Sequence, residues 1–170
     1  MTSAPTSSPP STFRGSNAQQ WLSTLARLGL GGVLVVAASL KIADPAQAAS
    51  AVQAYRLLPT EVGEFVGYGL PLVELGLGVM LILGFGTRLA AIGAGALMTA
   101  FVAGVLSAWA RGLSIDCGCF GGGGTVPEGD AQYLPVVLRD LGFAVLAGWL
   151  VLFPVSRWAL AGNDGEEKAQ

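Results

Sequence analysis

Histidine is absent from all 170 residues, cysteine occurs only twice, charged residues make up 12% and aromatic residues 8%. Each scarcity excludes something. Without His, the commonest metal ligand and general base is missing, and two Cys alone cannot close a zinc site, so no metal is expected. A formal net charge of -2 provides no basic surface for phosphates, so no nucleic-acid partner is expected. Soluble globular chains carry about a quarter charged residues, far above the share found here. What fills the gap is 52% hydrophobic residues and 25 Gly, with a mean hydropathy of +0.61. That is the composition of a chain whose solvent is the lipid bilayer and whose helices approach one another closely.

Residues 1–20 are rich in Ser, Thr and Pro and read as a disordered polar tail. Four apolar runs follow, at about 25–43, 62–83, 89–109 and 133–155, each near the roughly 20 residues a spanning helix needs. They predict an all-α, polytopic membrane four-helix bundle over 21–158, closed by a polar C-terminal tail at 159–170. Asp44-Pro45 ends the first run, and Pro45 at a first helical position opens a short amphipathic segment from Ala46 to Leu58 that stops at Pro59. Ala46-Gln47-Ala48 has the form of a signal-peptide cleavage site. The apolar run before it exceeds the roughly 7–15 residues of a signal core, and Lys41 and Asp44 intervene, so an uncleaved first helix is expected. Gly84 to Arg88 suffices only for a tight hairpin, which makes the second and third helices antiparallel neighbours. Pro71 marks an expected kink in the second helix. Gly63-x-x-x-Gly67 and Ala90-x-x-x-Ala94 are compatible with close helix contact, although chance also supplies such patterns in a chain this rich in Gly and Ala.

Four spans put both tails on one side. Five cations lie on that side (Arg14, Arg27, Arg88, Arg157, Lys168) and four on the other (Lys41, Arg56, Arg111, Arg139). Lys41 and Arg139 fall within apolar runs and are expected to have internal partners. Without them the count is five against two, which predicts cytoplasmic termini and an extracytoplasmic loop from Ala110 to Gln132. That loop holds both cysteines, on the face where a bacterial disulfide can persist.

Cys117 and Cys119 flank Gly118 in Asp116-Cys117-Gly118-Cys119-Phe120-Gly121. A disulfide between them closes a small bent ring, for which Gly118 is the best-suited intervening residue, and a strained, exposed bond is the more easily reduced kind. Backbone N–H groups of the Gly121–Gly124 run can stabilise a thiolate, adjacent Asp116 opposes it, and Arg111 is expected to offset Asp116. The residues leave two alternatives open, a redox-exchange pair and a fixed structural clip. Metal binding would need Asp116, Glu128 or Asp130 as further ligands. Glu74, about midway along the second span, must be paired or protonated, with Lys41 and Arg139 as candidate partners. It is either a polar site in the bundle, for a proton or a quinone headgroup, or a structural pair between helices. Arg139 and Asp140 are expected to form a snorkelling structural pair near the membrane surface.

The ordered set Ser39-Leu40-Lys41-Ile42, Tyr55-Arg56-Leu57-Leu58-Pro59, Leu70-Pro71-Leu72-Val73-Glu74-Leu75-Gly76-Leu77-Gly78, Cys117-Gly118-Cys119-Phe120-Gly121 and Arg139-Asp140 resembles the MauE family of methylamine utilisation proteins, within the wider DoxX-like membrane proteins. The resemblance covers about residues 20–155. It implies a four-helix membrane bundle tied to methylamine dehydrogenase maturation and methylamine metabolism, assisting disulfide formation or small-subunit transport beside a thioredoxin-like extracytoplasmic partner. Cys117 and Cys119 would be the redox pair, Glu74 and Lys41 the bundle's polar site, and Arg111, Arg139 and Asp140 supporting residues. Likeness to quinone-linked disulfide oxidoreductases is architectural only, since the chain lacks their C-x-x-C pair; a quinone stays the candidate cofactor. The competing expectation is a non-catalytic subunit or small carrier whose cysteines are a clip and whose functional residue is Glu74.

Overall fold

The computed structural model describes residues 17–127 and 129–154. Among these residues, four helices are long and apolar enough to cross a membrane: α1 (Asn17–Ala43), α3 (Thr60–Leu83), α4 (Thr87–Ala110) and α5 (Tyr133–Leu152). A shorter helix, α2 (Pro45–Ala54), lies between α1 and α3, and a two-stranded hairpin, β1 (Ile115–Asp116) with β2 (Gly124–Thr125), sits in the loop between α4 and α5. The all-α membrane bundle expected from hydropathy is what the chain forms.

Polarity is distributed inside out. Phe65 (78% exposed), Leu152 (73%) and Val145 (72%) point outward, while Arg27, Glu74, Asp140, Ser23 and Thr24 are among the most deeply buried side chains. In water this would be untenable. Against lipid it is the low-energy arrangement, because the outer faces meet acyl chains and polar groups find partners inside.

The helices form a ring in the order α1, α3, α4, α5, with the most extensive packing between α4 and α5 and between α1 and α3. The tight α3–α4 hairpin at Gly84–Gly86 is present, but each of its helices packs mainly on another neighbour. Backbones touch where α1 crosses α3. A Cβ on Gly31 would lie 2.9 Å from the Gly78 carbonyl oxygen, and one on Gly78 would lie 2.9 Å from the Gly31 oxygen. At the opposite end from the Cys loop, Trp149 Nε1–H donates to Ser23 Oγ (3.2 Å), whose hydroxyl donates to the Phe153 carbonyl (3.0 Å), joining α1 to the end of α5.

Several boundaries differ from expectation. α1 starts at Asn17, inside the stretch taken as tail, because Gln19 and Gln20 extend the helix beyond its apolar run. The rest of that tail and residues 155–170 lie outside the described residues. α2 starts as expected, with the Asp44 carboxylate accepting the Gln47 N–H at 3.0 Å, but it ends at Ala54 rather than Leu58. There Arg56 takes a left-handed conformation, φ +50°, and its carbonyl and that of Tyr55 accept hydrogen bonds from Arg111. Helix α3 continues unbroken through Pro71.

Gly78→Val forces α1 and α3 apart and is expected to cost about 1–3 kcal/mol, seen as a lower thermal midpoint in detergent. Gly69→Ala, with nothing within 4 Å of the added methyl, leaves the midpoint unchanged or raises it.

Candidate thiol and ion-pair site

The contact at Gly31 and Gly78 fixes the axial register of α1 against α3. From it, Lys41 lies about 15 Å further along α1, while Glu74 lies about 6 Å in the same direction along antiparallel α3, at 1.5 Å per residue. Side chains lean toward the N-terminus of their own helix, so these two lean toward each other and close the gap. Lys41 Nζ donates to Glu74 Oε1 at 2.6 Å, both side chains are buried, and Nζ also sits 5.2 Å from the centre of the Phe101 ring. Glu74 Oε2 is buried with no hydrogen-bond partner. Of the two cations considered for Glu74, it is Lys41 that meets it; Arg139 is committed elsewhere.

The Cys segment packs against α2 instead of standing free. Gly118, at φ +67°, lies so close to α2 that a Cβ would fall 2.7 Å from the Ala51 methyl. Only glycine fits both the dihedral and the space. Gln47 Nε2 donates to the Gly123 carbonyl, and Tyr55 Oη donates to the Cys117 carbonyl at 3.2 Å. On the other flank, Tyr133 Oη accepts the Ile115 N–H (3.2 Å) and donates to the Leu113 carbonyl. So held, Cys119 is buried and Cys117 half-buried. A cleft of about 310 Å³ opens beside them, with Cys117, Phe120, Tyr133 and Arg139 in its wall.

Arg139 and Asp140 form an ion pair, as expected, and the pair also touches both cysteines. Asp140 is 2% exposed, and its Oδ1 accepts Arg139 Nε–H at 2.9 Å. Arg139 Nη2 points at Cys117 Sγ (3.9 Å) and its guanidinium lies 4.6 Å from the centre of the Phe120 ring. Asp140 Oδ2 accepts from the Cys119 thiol at 3.9 Å. Arg111 donates to the Tyr55 and Arg56 carbonyls and ties the α2–α3 link to the end of α4. The backbone N–H on Cys117 Sγ is that of Cys119, at 3.5 Å, rather than one from Gly121–Gly124. Glu128 lies outside the described residues.

Electrostatics separate the two thiols. Hydrogen bonding from the Cys119 thiol, then the Cys119 N–H and Arg139, holds Cys117 down at about 6, against the opposing pull of burial. Cys119, donor in that bond, buried and facing Asp140, is pushed far above the ordinary thiol range. Cys117 is thereby the more acidic of the two thiols. Sequence reasoning missed Tyr55 and Gln47 as supports of this loop, although Tyr55 stands in one of the motifs that carried the resemblance.

Thiols, guanidinium, ammonium and carboxylates from α1, α3, α5 and the loop therefore gather in one cluster of a four-helix bundle. They define a multi-spanning membrane protein with an internal thiol and ion-pair centre. The chain matches the family model described as Methylamine utilisation protein MauE over residues 19–153 and belongs to that family. No curated protein and no solved structure matches it.

Since the thiolate is the reactive form, Cys117 alkylation is expected to hold its rate above pH 6 and lose it as pH falls through about 6. Arg139→Gln moves that midpoint upward. Quenched alkylation followed by peptide mass mapping measures both.

Proposed function

We propose that the chain is a membrane thiol–disulfide exchange protein that serves the maturation of extracytoplasmic proteins, with Cys117 the attacking and Cys119 the resolving thiol. The observation that carries this reading is the pairing of a half-buried sulfur of low pKa with a buried, protonated one, beside a cleft of about 310 Å³. Family membership in a methylamine utilisation group fits a maturation role in that metabolism.

Cys117 thiolate attacks a disulfide in a thioredoxin-like partner, forming a mixed disulfide and releasing one partner thiolate. Cys119 then loses its proton and attacks Cys117 Sγ, closing the Cys117–Cys119 bond and releasing the second. The partner gains two electrons and the membrane pair loses two; run backwards, the same steps oxidise a partner dithiol. The Arg139 guanidinium steadies negative charge on Cys117 in both directions.

Charge placement supports an outward-facing loop and cytoplasmic termini. Lys41 and Arg139 are engaged in ion pairs and Arg27 is buried. Setting those three aside leaves Arg14, Arg88, Arg157 and Lys168 against Arg56 and Arg111.

Cys119→Ser is expected to trap a mixed disulfide between Cys117 and a thioredoxin-like protein in intact cells, and Cys117→Ser to trap none. An impermeant thiol reagent should block trapping without lysis. Equal trapping by both variants contradicts the assigned order, and no trapping by either contradicts exchange.

A further inference from the structure

Attack by Cys119 requires its proton to go somewhere, and the residues around it limit the choices. In the resting pair that proton has three acceptors: the Cys117 sulfur, the Cys117 carbonyl at 4.0 Å and Asp140 Oδ2 at 3.9 Å. Once Cys117 is tied up in a mixed disulfide its thiolate is gone, and Asp140 Oδ2 is the remaining carboxylate oxygen. Its other oxygen, Oδ1, is bound by Arg139.

A second carboxylate is close at hand. Glu74, Asp140 and Cys119 all line one small cavity of about 20 Å³, otherwise walled by Phe101, Phe120 and Phe143 among other apolar groups. That space accommodates one water. Into this neighbourhood comes the one carboxylate oxygen among the described residues, Glu74 Oε2, that is buried and has no hydrogen-bond partner. The other titratable or charged groups facing this region are Lys41 from α1, Arg139 from α5, Cys117 from the loop and Tyr55 after α2. Helix α4 contributes only apolar walls, Met98 and Phe101.

We propose that Asp140, one cavity water and Glu74 form a proton relay that takes the Cys119 proton during resolution. This deepens the exchange reading above and rests on it. The proton passes from Cys119 Sγ to Asp140 Oδ2, then through the water to Glu74 Oε2. The Cys119 sulfur, now a thiolate, attacks Cys117 Sγ, and the departing partner thiolate or bulk water finally collects the proton. Internal transfer leaves the net charge of the buried cluster unchanged while the proton is held. Glu74 then acts through Asp140 as a proton-holding residue.

The test mixes the fully reduced chain, in lipid nanodiscs, with excess dithiobis(nitrobenzoate). The first coloured thiolate released per chain reports Cys117 attack, and a second whose rate is independent of reagent concentration reports resolution by Cys119, since its direct reaction with reagent would scale with concentration. A wild type that never releases the second overturns the exchange reading itself, and the relay with it. With two phases present, Glu74→Gln is expected to slow the second at least about tenfold near pH 7 and make it accelerate with pH, while Glu74→Asp recovers most of the rate. The first phase serves as the check that the site is folded. A Glu74→Gln second phase within about twofold of wild type and with its pH profile overturns the relay and leaves exchange standing. The wild type alone gives an independent readout: a second phase nearly flat from about pH 6 to 8 supports an internal acceptor, and a rise of about tenfold per pH unit overturns it.

Discussion

Lys41 Nζ and Glu74 Oε1 meet at 2.6 Å inside a bundle whose outer faces are apolar. Either charge alone in that setting would cost several kcal/mol, and removing one partner of such a pair typically costs about 3–5 kcal/mol because the other is stranded. The pair can form only if α1 and α3 keep one register, and that register is set by backbone contact at Gly31 and Gly78. It also fixes where α1 ends, and so where α2 turns back along the N-terminal half of α3. The close approach of Gly67 to Ala49, where a Cβ would lie 2.4 Å from the Ala49 Cα, seats α2 there.

The Cys segment depends on that seat. Ala51 on α2 faces Gly118, Gln47 holds Gly123 and Tyr55 holds the Cys117 carbonyl. A loop so anchored presses Cys119 onto Asp140 and leaves Cys117 under Arg139. Thiol chemistry and buried ion pairs are then one structure, arranged from Lys41 through Glu74 and the small cavity to Asp140, Cys119 and Cys117. The low pKa of Cys117 comes first from Cys119 two residues away, with Arg139 on α5 adding to it, and helix packing holds those groups in place.

Hydropathy made the four spans legible, since lipid demands long apolar runs whatever the packing. Asp44-Pro45 announced the start of α2 because N-capping and proline at the first turn are local effects. The end of α2 was hidden, for it depends on Arg111 reaching across from α4 to the Tyr55 and Arg56 carbonyls. The choice between Lys41 and Arg139 as partner of Glu74 was hidden for a related reason: it turns on helix rotation, which a single sequence leaves open. The polar, Gly-rich composition of the Cys loop read as solvent-exposed, yet several of those glycines serve close packing. Cys119 is buried as a result, and the contact between Arg139–Asp140 and the thiols could not be foreseen from residues some 20 positions away along the chain.

The most direct test of the account is a redox titration of the membrane-embedded chain in glutathione buffers, acid-quenched, alkylated and weighed intact. Cys117 and Cys119 are expected to disappear together, two thiols per transition with the mass of an intramolecular disulfide, and to return together on reduction. Thiols that stay alkylatable across the whole range, or that vanish independently as separate glutathione adducts, would contradict it.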